Sequence, residues 1–277
     1  MVATPIGNLD DISLRAISSL ARADFIAAED TRVTAHLLER HGLRGKLLAV
    51  HEHNETRVAD RIIAQLSQGK TVALVSDAGT PAISDPGAKL VAQVRASGFR
   101  VVPIPGPNAA VTALSAAGIA DGPFLFAGFL PASSAARRKA LRAYADLPYA
   151  LVFYEAPHRV VECAEDLATL LGPQRPIVIA RELTKVFEQI HQCSLGEAAD
   201  WLRADADRQR GEFVLVLEGA HSPKTDDEGW EQVLATLLQD LPLAQAVKVA
   251  CKLTGARKNA VYTRALQLAG RPDAGRR

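Results

Sequence analysis

The chain has 277 residues, of which 48% are hydrophobic and 23% are charged, and its formal net charge at pH 7 is +1. This composition predicts a globular protein with two domains and a small third one, and it excludes a strongly basic nucleic-acid-binding protein. The amino end lacks a signal-peptide pattern, no apolar run is long enough to span a membrane, and three scattered cysteines suit no disulfide framework, so we expect a cytoplasmic protein without membrane contact.

In the first 120 residues, short runs of Val, Ile, Leu and Ala alternate with helical patterns. Because these runs show no polar alternation, they predict strands buried on both faces, as in a mainly parallel sheet covered by helices. The predicted strands lie near residues 2–4, 25–28, 47–50, 71–75 and 100–104. The predicted helices lie at residues 12–21, 31–40, 55–68, 87–97 and 108–117.

The pattern resets around Asp121-Gly122-Pro123, and a second series of strands is predicted near residues 124–129, 150–154, 177–180, 185–192 and 213–217. A polar stretch at 221–227 has the composition of a linker. We therefore expect an N-terminal α/β domain of residues 1–121, a C-terminal α/β domain of 122–220 and a small helical module of 228–270.

The tail of the chain predicts two helices, at 242–253 and 257–268, joined by Thr254-Gly255. This arrangement resembles a helix-turn-helix unit. Its basic residues outnumber its acidic ones, so it either contacts phosphate or packs as an appendage with a solvated basic face.

The segment from Ser76 to Gly87 follows an apolar strand and precedes a helix, and it contains two glycines and two prolines. Glycine allows a close backbone approach, and loops at the carboxyl ends of parallel strands line ligand crevices. Asp85 before Pro86 also resembles a helix cap followed by proline at the first helical position. The segment is predicted to be a ligand loop, the alternative being an ordinary turn.

Three other motifs do not hold. Gln68-Gly69-Lys70-Thr71 resembles the end of a P-loop, but Ala64 replaces the leading glycine and the segment runs from helix to strand. No G-x-G-x-x-G follows the first strand, which argues against an ordinary dinucleotide site. His51 and His53 have no further ligands nearby in the sequence, so we expect no metal site.

Several strings at predicted strand ends occur in an order that resembles the tetrapyrrole methylase superfamily and, within it, the bacterial ribosomal RNA small-subunit methyltransferase I family. The strings are Thr4-Pro5-Ile6-Gly7-Asn8, Glu29-Asp30-Thr31-Arg32, His51-Glu52-His53-Asn54-Glu55, residues 76–87, Pro105-Gly106-Pro107-Asn108, Tyr154-Glu155-Ala156-Pro157-His158-Arg159 and Arg181-Glu182-Leu183-Thr184. The resemblance runs to about residue 219, with a weaker echo in the tail. Family members carry a few more residues before the first strand than this chain does.

The resemblance implies a cleft between two α/β domains that binds S-adenosylmethionine. By motif position, the cofactor-binding residues would be Pro5, Ala78, Gly79, Thr80, Ile83, Asn108, Ala109, Glu155 and Leu183. The implied activity is methylation of the ribose 2′-oxygen of a cytidine in the decoding region of 16S ribosomal RNA, with the small ribosomal subunit as partner and a homodimer as the assembly. The alternatives are a precorrin-type tetrapyrrole C-methyltransferase and a catalytically silent RNA-binding protein.

A ribose hydroxyl is a poor nucleophile, so a general base, or a cation that stabilises the alkoxide, would assist methyl transfer. The candidates are the polar residues that the motifs place near the cleft, namely Glu29, Asp30, Arg32, His53, Asn54, Glu55, Arg159, Arg181 and Glu182. From these we predict His53, Arg32 and Glu182 as catalytic. His53 has the most suitable titration range but is equally a loop-fixing donor, and Arg32 either holds phosphate or forms an ion pair.

A basic run follows the first strand of the second series. It contains Arg137, Arg138, Lys139 and, one turn later, Arg142, which we predict to contact RNA near the mouth of the cleft. The alternative is a solvated helix face.

Overall fold

The structure is a computed structural model, and it describes residues 1–51, 54–119, 122–220 and 228–268. The chain divides into two units, Met1–Ala220 and His221–Arg277. The first unit contains two β-sheets, and the second contains helices.

The first sheet is parallel and has the strand order β2-β1-β3, with β1 at Phe25–Ala28, β2 at Leu47–Ala49 and β3 at Val72–Leu74. Alternate residues of β1 point to opposite faces of the sheet, and helices cover both faces. Ile26 packs with α1 (Leu14–Arg22) and α2 (Thr31–Arg40), whereas Ala27 packs with α3 (Glu55–Leu66) and α4 (Ala88–Ala96).

The strands predicted at 2–4 and 100–104 are reduced to single bridges. Val2 pairs in parallel with Ile104, and Thr4 pairs antiparallel with Gly79. Pro103 and Pro105 flank Ile104 and carry no N–H, so a longer ladder cannot form there.

The second sheet is mixed and has the strand order β4-β5-β8-β6-β7. Its strands are β4 (Phe124–Phe129), β5 (Ala150–Glu155), β6 (Pro176–Arg181), β7 (Gln189–Ser194) and β8 (Phe213–Leu217). Only β4 and β5 pair in parallel, with a register shift between Phe126 and Gly128. β8, the last strand in the described part of the chain, lies at the centre of the sheet.

Helices cover both faces of the second sheet. One face packs against α6 (Ser134–Leu141), α7 (Val160–Leu171) and α8 (Leu195–Arg203). The opposite face, with Val152, Val178 and Val214, packs against α5 (Ala109–Ala117). α5 follows the three strands of the first sheet in the chain. Because it packs against the second sheet, it joins the two halves of the unit. Short 3-10 helices lie at Leu9–Asp11, Arg142–Tyr144 and Ala206–Gln209.

The strand predicted at 185–192 begins instead at Gln189. Glu182 and Thr184 have φ values of 52° and 64°, and the Thr184 N–H donates to the Glu188 carboxylate at 2.6 Å. This turn includes residues 185–188, which were predicted to be the first part of the strand.

The second unit contains α9 (Glu228–Asp240), α10 (Leu243–Thr254) and α11 (Lys258–Leu268). Its buried core includes Trp230, Leu234, Val247 and Val261. Gly255 ends α10 in the left-handed conformation, at φ 71°, as glycine does after helices.

The predicted fold class is confirmed: the chain has two α/β parts, a parallel N-terminal sheet and a helical C-terminal module. The division into domains 1–121 and 122–220 stays a prediction, since residues 120 and 121 lie outside the described part. Among the described helices, none has the length and apolar character needed to cross a membrane.

Candidate active site

A cleft of about 390 Å³ lies in the first unit, where loops that follow strands of both sheets meet. This volume is within the usual range for small-molecule sites. The lining residues are Ile6, Ala78, Gly79, Thr80, Ile83, Ser84, Asp85, Asn108, Ala109, Phe129, Tyr154, Glu155, Ala156, Pro157, Leu183, Glu212, Phe213 and Val214.

The loop after β3 forms one wall of this cleft and is held by the backbone. The Thr4 and Gly79 N–H groups each donate to the other residue's carbonyl, at 2.9 and 3.0 Å. The Thr80 hydroxyl donates to the Pro107 carbonyl at 3.0 Å. Gly79 has φ 80°, and Ala82 and Ser84 also have positive φ values, which side chains rarely adopt. Such strained backbone concentrates at functional sites, in agreement with the predicted ligand loop.

The amino end of α5 forms a second wall. The Asn108 side chain caps the helix by accepting the Val111 N–H at 3.2 Å, and the Tyr154 hydroxyl accepts the Ala110 N–H at 3.1 Å. Asn108 and Ala109 line the cleft. The partial positive charge at this helix end is therefore available to an anionic ligand group.

Glu155, at the end of β5, is 2% exposed and lines the cleft. Its Oε1 accepts the Ala156 N–H at 2.7 Å and pairs with Arg159 at 2.5 Å. Its Oε2 is buried and accepts no N–H or O–H from the described residues. Burial raises the pKa of the nearby Cys163 thiol, and the negative charge of the Glu155 carboxylate raises it further. Glu155 therefore provides a carboxylate at the wall of the cleft that is held by Arg159 and accepts the Cys163 thiol.

Asp85 provides a second carboxylate in the cleft wall. Burial raises its pKa to about 6, helped by the negative charge of Glu29 and, less, of Asp77, while a hydrogen bond from Ser76 opposes the shift. Burial and Asp77 also raise the pKa of Glu29. The sequence prediction that Asp85 caps a helix is wrong: α4 begins at Ala88, its cap is Gly87, and the Gly87 N–H donates to the Glu55 carboxylate.

A second cleft, of about 530 Å³, is lined in part by Ser76 and Asp77, the two residues that precede Ala78 of the first cleft. Arg32 lines it with its side chain 89% exposed, and its guanidinium binds the Asp30 carboxylate at 2.6 Å. Hydrogen bonds from the Arg32 side chain and N–H lower the pKa of Asp30 to about 2. The other lining residues are Thr4, Pro5, Leu9, Val33, Thr34, His36 and Leu37.

The structure brings together most of the predicted cofactor-binding residues. Eight of the nine line the first cleft, and Pro5 lines the second. Of the predicted catalytic residues, Arg32 lines the second cleft and His53 lies outside the described residues. Their roles stay predictions.

Glu182, the third predicted catalytic residue, does not itself line either cleft and is held by hydrogen bonds from its neighbours. Its carboxylate accepts from Lys185 Nζ at 2.8 Å and from the Glu212 N–H at 2.9 Å. Burial alone would raise its pKa, but these hydrogen bonds lower it overall. Arg181, the other candidate beside it, is 6% exposed and donates to the Arg210 carbonyl at 2.6 Å.

The basic run on α6 and the 3-10 helix that follows it is divided between the interior and the surface. Arg137 is fully buried, and its Nε donates to Asp166 Oδ2 at 2.7 Å. Arg138, Lys139 and Arg142 are exposed. The prediction that all four residues face RNA therefore needs correction at Arg137, whose guanidinium does not reach the surface.

Sequence reasoning did not assign a cleft role to Asp85, Tyr154 or Phe129. Tyr154 precedes Glu155 within a quoted motif, but its position depends on packing: Phe126 and Phe129 meet its ring edge-on, with centroids at 4.8 and 5.5 Å. Phe129 could have been found from the glycine before it. Gly128 lies at the bulge of β4 with φ 65°, and a glycine within a strand pattern indicates such a bulge.

The known proteins that this chain resembles agree with one another. Residues 1–199 match the family model of Tetrapyrrole (Corrin/Porphyrin) Methylases, and residues 224–269 match the RsmI C-terminal HTH domain. Ribosomal RNA small subunit methyltransferase I of Escherichia coli O157:H7 is 48% identical over 98% of this chain and 95% of its own length. The same enzyme of Neisseria meningitidis serogroup A is 48% identical over 96% of this chain and 92% of its own.

Solved structures share the fold at low identity. A uroporphyrin-III C-methyltransferase from Thermus thermophilus, complexed with S-adenyl homocysteine, has a TM-score of 0.53 at 20% identity, covering 78% of this chain and 95% of that one. The cobalt precorrin-4 methyltransferase has a TM-score of 0.58 at 13% identity, covering 78% and 92%. From the matches to the family models and the full-length relatives together, we conclude that the chain belongs to the ribosomal RNA small subunit methyltransferase I family of the tetrapyrrole methylases.

Proposed function

We propose that the chain transfers a methyl group from S-adenosylmethionine to the ribose 2′-oxygen of a cytidine in the decoding region of 16S ribosomal RNA. The observation that carries this proposal is the first cleft, which collects eight residues selected by family motif from four separate segments of the chain. The names of the full-length relatives support small-subunit ribosomal RNA as the substrate.

The residues of the cleft fit this cofactor chemically. The Glu155 carboxylate lines the cleft, and the cofactor has amino groups at both its adenine and its methionine ends. The amino end of α5, at Asn108 and Ala109, suits the methionine carboxylate. Apolar walls at Leu183 and Val214 suit the flat face of an adenine ring.

Gly79 provides the space for a close approach. A Cβ at this position would lie 3.5 Å from Ile6 and 3.8 Å from the Pro107 carbonyl, at the wall of the cleft. A larger side chain would therefore extend between two segments that line the site, on a backbone conformation that disfavours side chains.

When bound, the cofactor supplies a methyl group already activated on a sulfonium sulfur. The task of the protein is then to align the acceptor oxygen and exclude water, which is catalysis by positioning. Phe129 is 54% exposed and packs edge-on against Tyr154, so it can cover the cleft beside an incoming nucleotide. Reaching the hydroxyl of one nucleotide in structured RNA requires that nucleotide to leave the stack.

We propose that the RNA contacts the exposed cations Arg138, Lys139 and Arg142, which lie 9 to 13 residues after Phe129 in the chain. The helical module at the carboxyl end is a second RNA contact in this proposal, supported by its match to a helix-turn-helix family model. The homodimer stays a prediction from the resemblance.

Calorimetry of S-adenosylmethionine binding tests the cleft. We expect wild-type protein to bind and Gly79→Val to lose binding. Gly69→Val is the matched control, because Gly69 has nearly the same φ, 77°, with no atom within 4 Å of the added Cβ and no place in the cleft. Equal binding by Gly79→Val and Gly69→Val would remove the loop from the cofactor site.

Mass spectrometry of ribose methylation in small-subunit RNA, incubated with cofactor and protein, tests the reaction. We expect one new 2′-O-methylcytidine in the decoding region. Methyl transfer to a precorrin instead would favour the tetrapyrrole alternative, and RNA binding without cofactor binding would favour the catalytically silent one.

A further inference from the structure

We infer that the second cleft binds the base of the nucleotide whose ribose is methylated, and that the Asp77 carboxylate accepts the amino group of that base. This role rests on the proposed function. It makes Asp77 the residue that distinguishes a cytidine acceptor from a uridine.

The two clefts adjoin along two segments of the chain. In one segment, Pro5 lines the second cleft and Ile6 the first. In the other, Asp77 lines the second cleft and Ala78 the first. An antiparallel backbone bridge joins these segments, and consecutive Cα atoms are about 3.8 Å apart. Each segment therefore passes from one cleft to the other within one residue.

Two other cavities of the first unit lack this border. They have volumes of about 240 and 450 Å³, and both are lined by Met1, Val72 and Val102. None of the described residues that line them is next in the chain to a residue of the first cleft. The second cleft is therefore better placed for a group that must lie beside the first.

The acceptor nucleotide requires such a neighbouring space. In a ribonucleotide, the base is attached to C1′ and the acceptor hydroxyl to C2′, the adjacent carbon of the sugar ring. When the 2′-oxygen reaches a methyl donor in the first cleft, the base must therefore lie immediately beside that cleft. Enzymes that act on flipped nucleotides bind the base between apolar side chains and hydrogen-bond to its Watson–Crick edge. Apolar side chains line the second cleft at Pro5, Leu9, Val33 and Leu37.

The polar side of the second cleft contains a carboxylate oxygen that is free to bind a ligand. Asp77 is exposed, and its Oδ1 accepts the Asp30 N–H at 2.7 Å. Its Oδ2 accepts no hydrogen bond from the described residues, and none of their Lys, Arg or His side chains lies within ion-pair distance. The Asp30 carboxylate, by contrast, is occupied by Arg32 Nε and Nη2. Asp77 is thus the carboxylate of this cleft with an oxygen to offer.

Arg32 adds a hydrogen-bond donor to the same cleft. Its Nη1 donates to no described residue, and the charge of Asp77 acts on its guanidinium. A free acceptor and a free donor match the Watson–Crick edge of cytosine, which carries the N4 amino donor together with the N3 and O2 acceptors. On uracil, an O4 acceptor replaces the amino group and would face the Asp77 carboxylate. Two acceptors that face each other leave both without a donor, so uridine is disfavoured.

The test uses three small-subunit RNAs that differ only in the base of the acceptor nucleotide: cytosine, uracil and 2-pyrimidinone, which has no amino group. The proteins are wild type, Asp77→Asn and, as an exposed control on α3, Asp60→Asn. Asparagine at position 77 keeps an oxygen for the Asp30 N–H and replaces the free oxygen by an amino donor. Single-turnover methyl transfer and equilibrium RNA binding are measured for every pair, and cofactor binding is measured by calorimetry.

We expect wild type to methylate the cytidine RNA about 5- to 150-fold faster than the uridine RNA. In Asp77→Asn the rate on cytidine should fall and the rate on uridine should rise, so that their ratio drops to about one or below. The rate on the 2-pyrimidinone RNA should change least, because that base has no group to contact residue 77. Asp77→Asn should bind cofactor as wild type does, and Asp60→Asn should keep the wild-type ratio.

Wild type that methylates the cytidine RNA while Asp77→Asn keeps the same preference for cytidine would overturn the role of Asp77 and leave the proposed function intact. Equal wild-type rates on the cytidine and 2-pyrimidinone RNAs would also overturn it. If Asp77→Asn shows no turnover, its relative affinities for the three RNAs decide by the same criteria. Wild type that methylates none of the RNAs would overturn the proposed function and, with it, the role of Asp77.

Discussion

Removing the guanidinium of Arg137 should destabilise the first unit strongly. Arg137 is fully buried, and its partner Asp166 has only 11% of its side chain exposed. Asp166 also accepts the Ser134 hydroxyl at 3.0 Å, and Arg137 donates to the Ala132 carbonyl at 3.3 Å. The substitution Arg137→Met keeps the aliphatic stem in place and leaves the carboxylate of Asp166 with little solvent and no buried cation.

The magnitude follows from the cost of isolating a buried charge. Breaking a buried ion pair by removing one partner costs about 3 to 5 kcal/mol. In a unit of this size, each 1 kcal/mol shifts the melting temperature by about 2 to 4 °C, so we expect a decrease of about 6 to 20 °C. Arg138, at 3.8 Å from Asp166 and 48% exposed, should contribute less than about 1 kcal/mol, which makes Arg138→Met the matched control.

Differential scanning calorimetry and urea unfolding measure these changes. The double variant Arg137→Met/Asp166→Leu should recover most of the loss, because replacing both partners of a buried pair by apolar groups is often neutral. Equal stability of Arg137→Met and Arg138→Met would refute the reasoning. So would a double variant no more stable than the single one.

Two further predictions concern charged residues of the first unit. Replacing Arg138, Lys139 and Arg142 together by Ala should weaken binding of small-subunit RNA and leave cofactor binding unchanged. The slope of log affinity against log salt should become less steep by up to about 2. An unaltered salt slope would exclude these three residues from the RNA interface. Glu182→Gln should be less stable than wild type at neutral pH, and the difference should shrink as pH falls below about 4.5, because the folded-state pKa of Glu182 is depressed and its stabilisation is lost as pH falls through that value. Urea unfolding at several pH values measures this difference, and a gap that is independent of pH would contradict it.

Local signals in the sequence were sufficient for most elements. Asp30 caps α2, and the predicted helix at 31–40 has the observed bounds. Gly118 ends α5 at φ 67°, as a glycine after a helical pattern predicts. The short family strings also brought eight of the nine predicted residues to one cleft, and their role in cofactor binding stays a prediction.

Long-range contacts account for what the sequence did not show. The basic run on α6 and the 3-10 helix after it predicts four cations that contact RNA, but Arg137 is buried and pairs with Asp166, which is 29 residues further along the chain. The pKa of Asp85 depends on Glu29, which is 56 residues away in the chain and adjacent only after folding. Helical and strand periodicity carry no information about such pairs.

The central place of β8 has a consequence for how this protein is made. While a ribosome synthesises the chain, β4 with β5 and β6 with β7 emerge first, and each pair exposes an open edge where β8 will lie. Open edges of this kind are templates for intermolecular pairing. Until Phe213–Leu217 leaves the exit tunnel, the second sheet exists only as two separate strand pairs. Pairing of β8 with β5 and β6 closes both open edges and so removes these sites of aggregation.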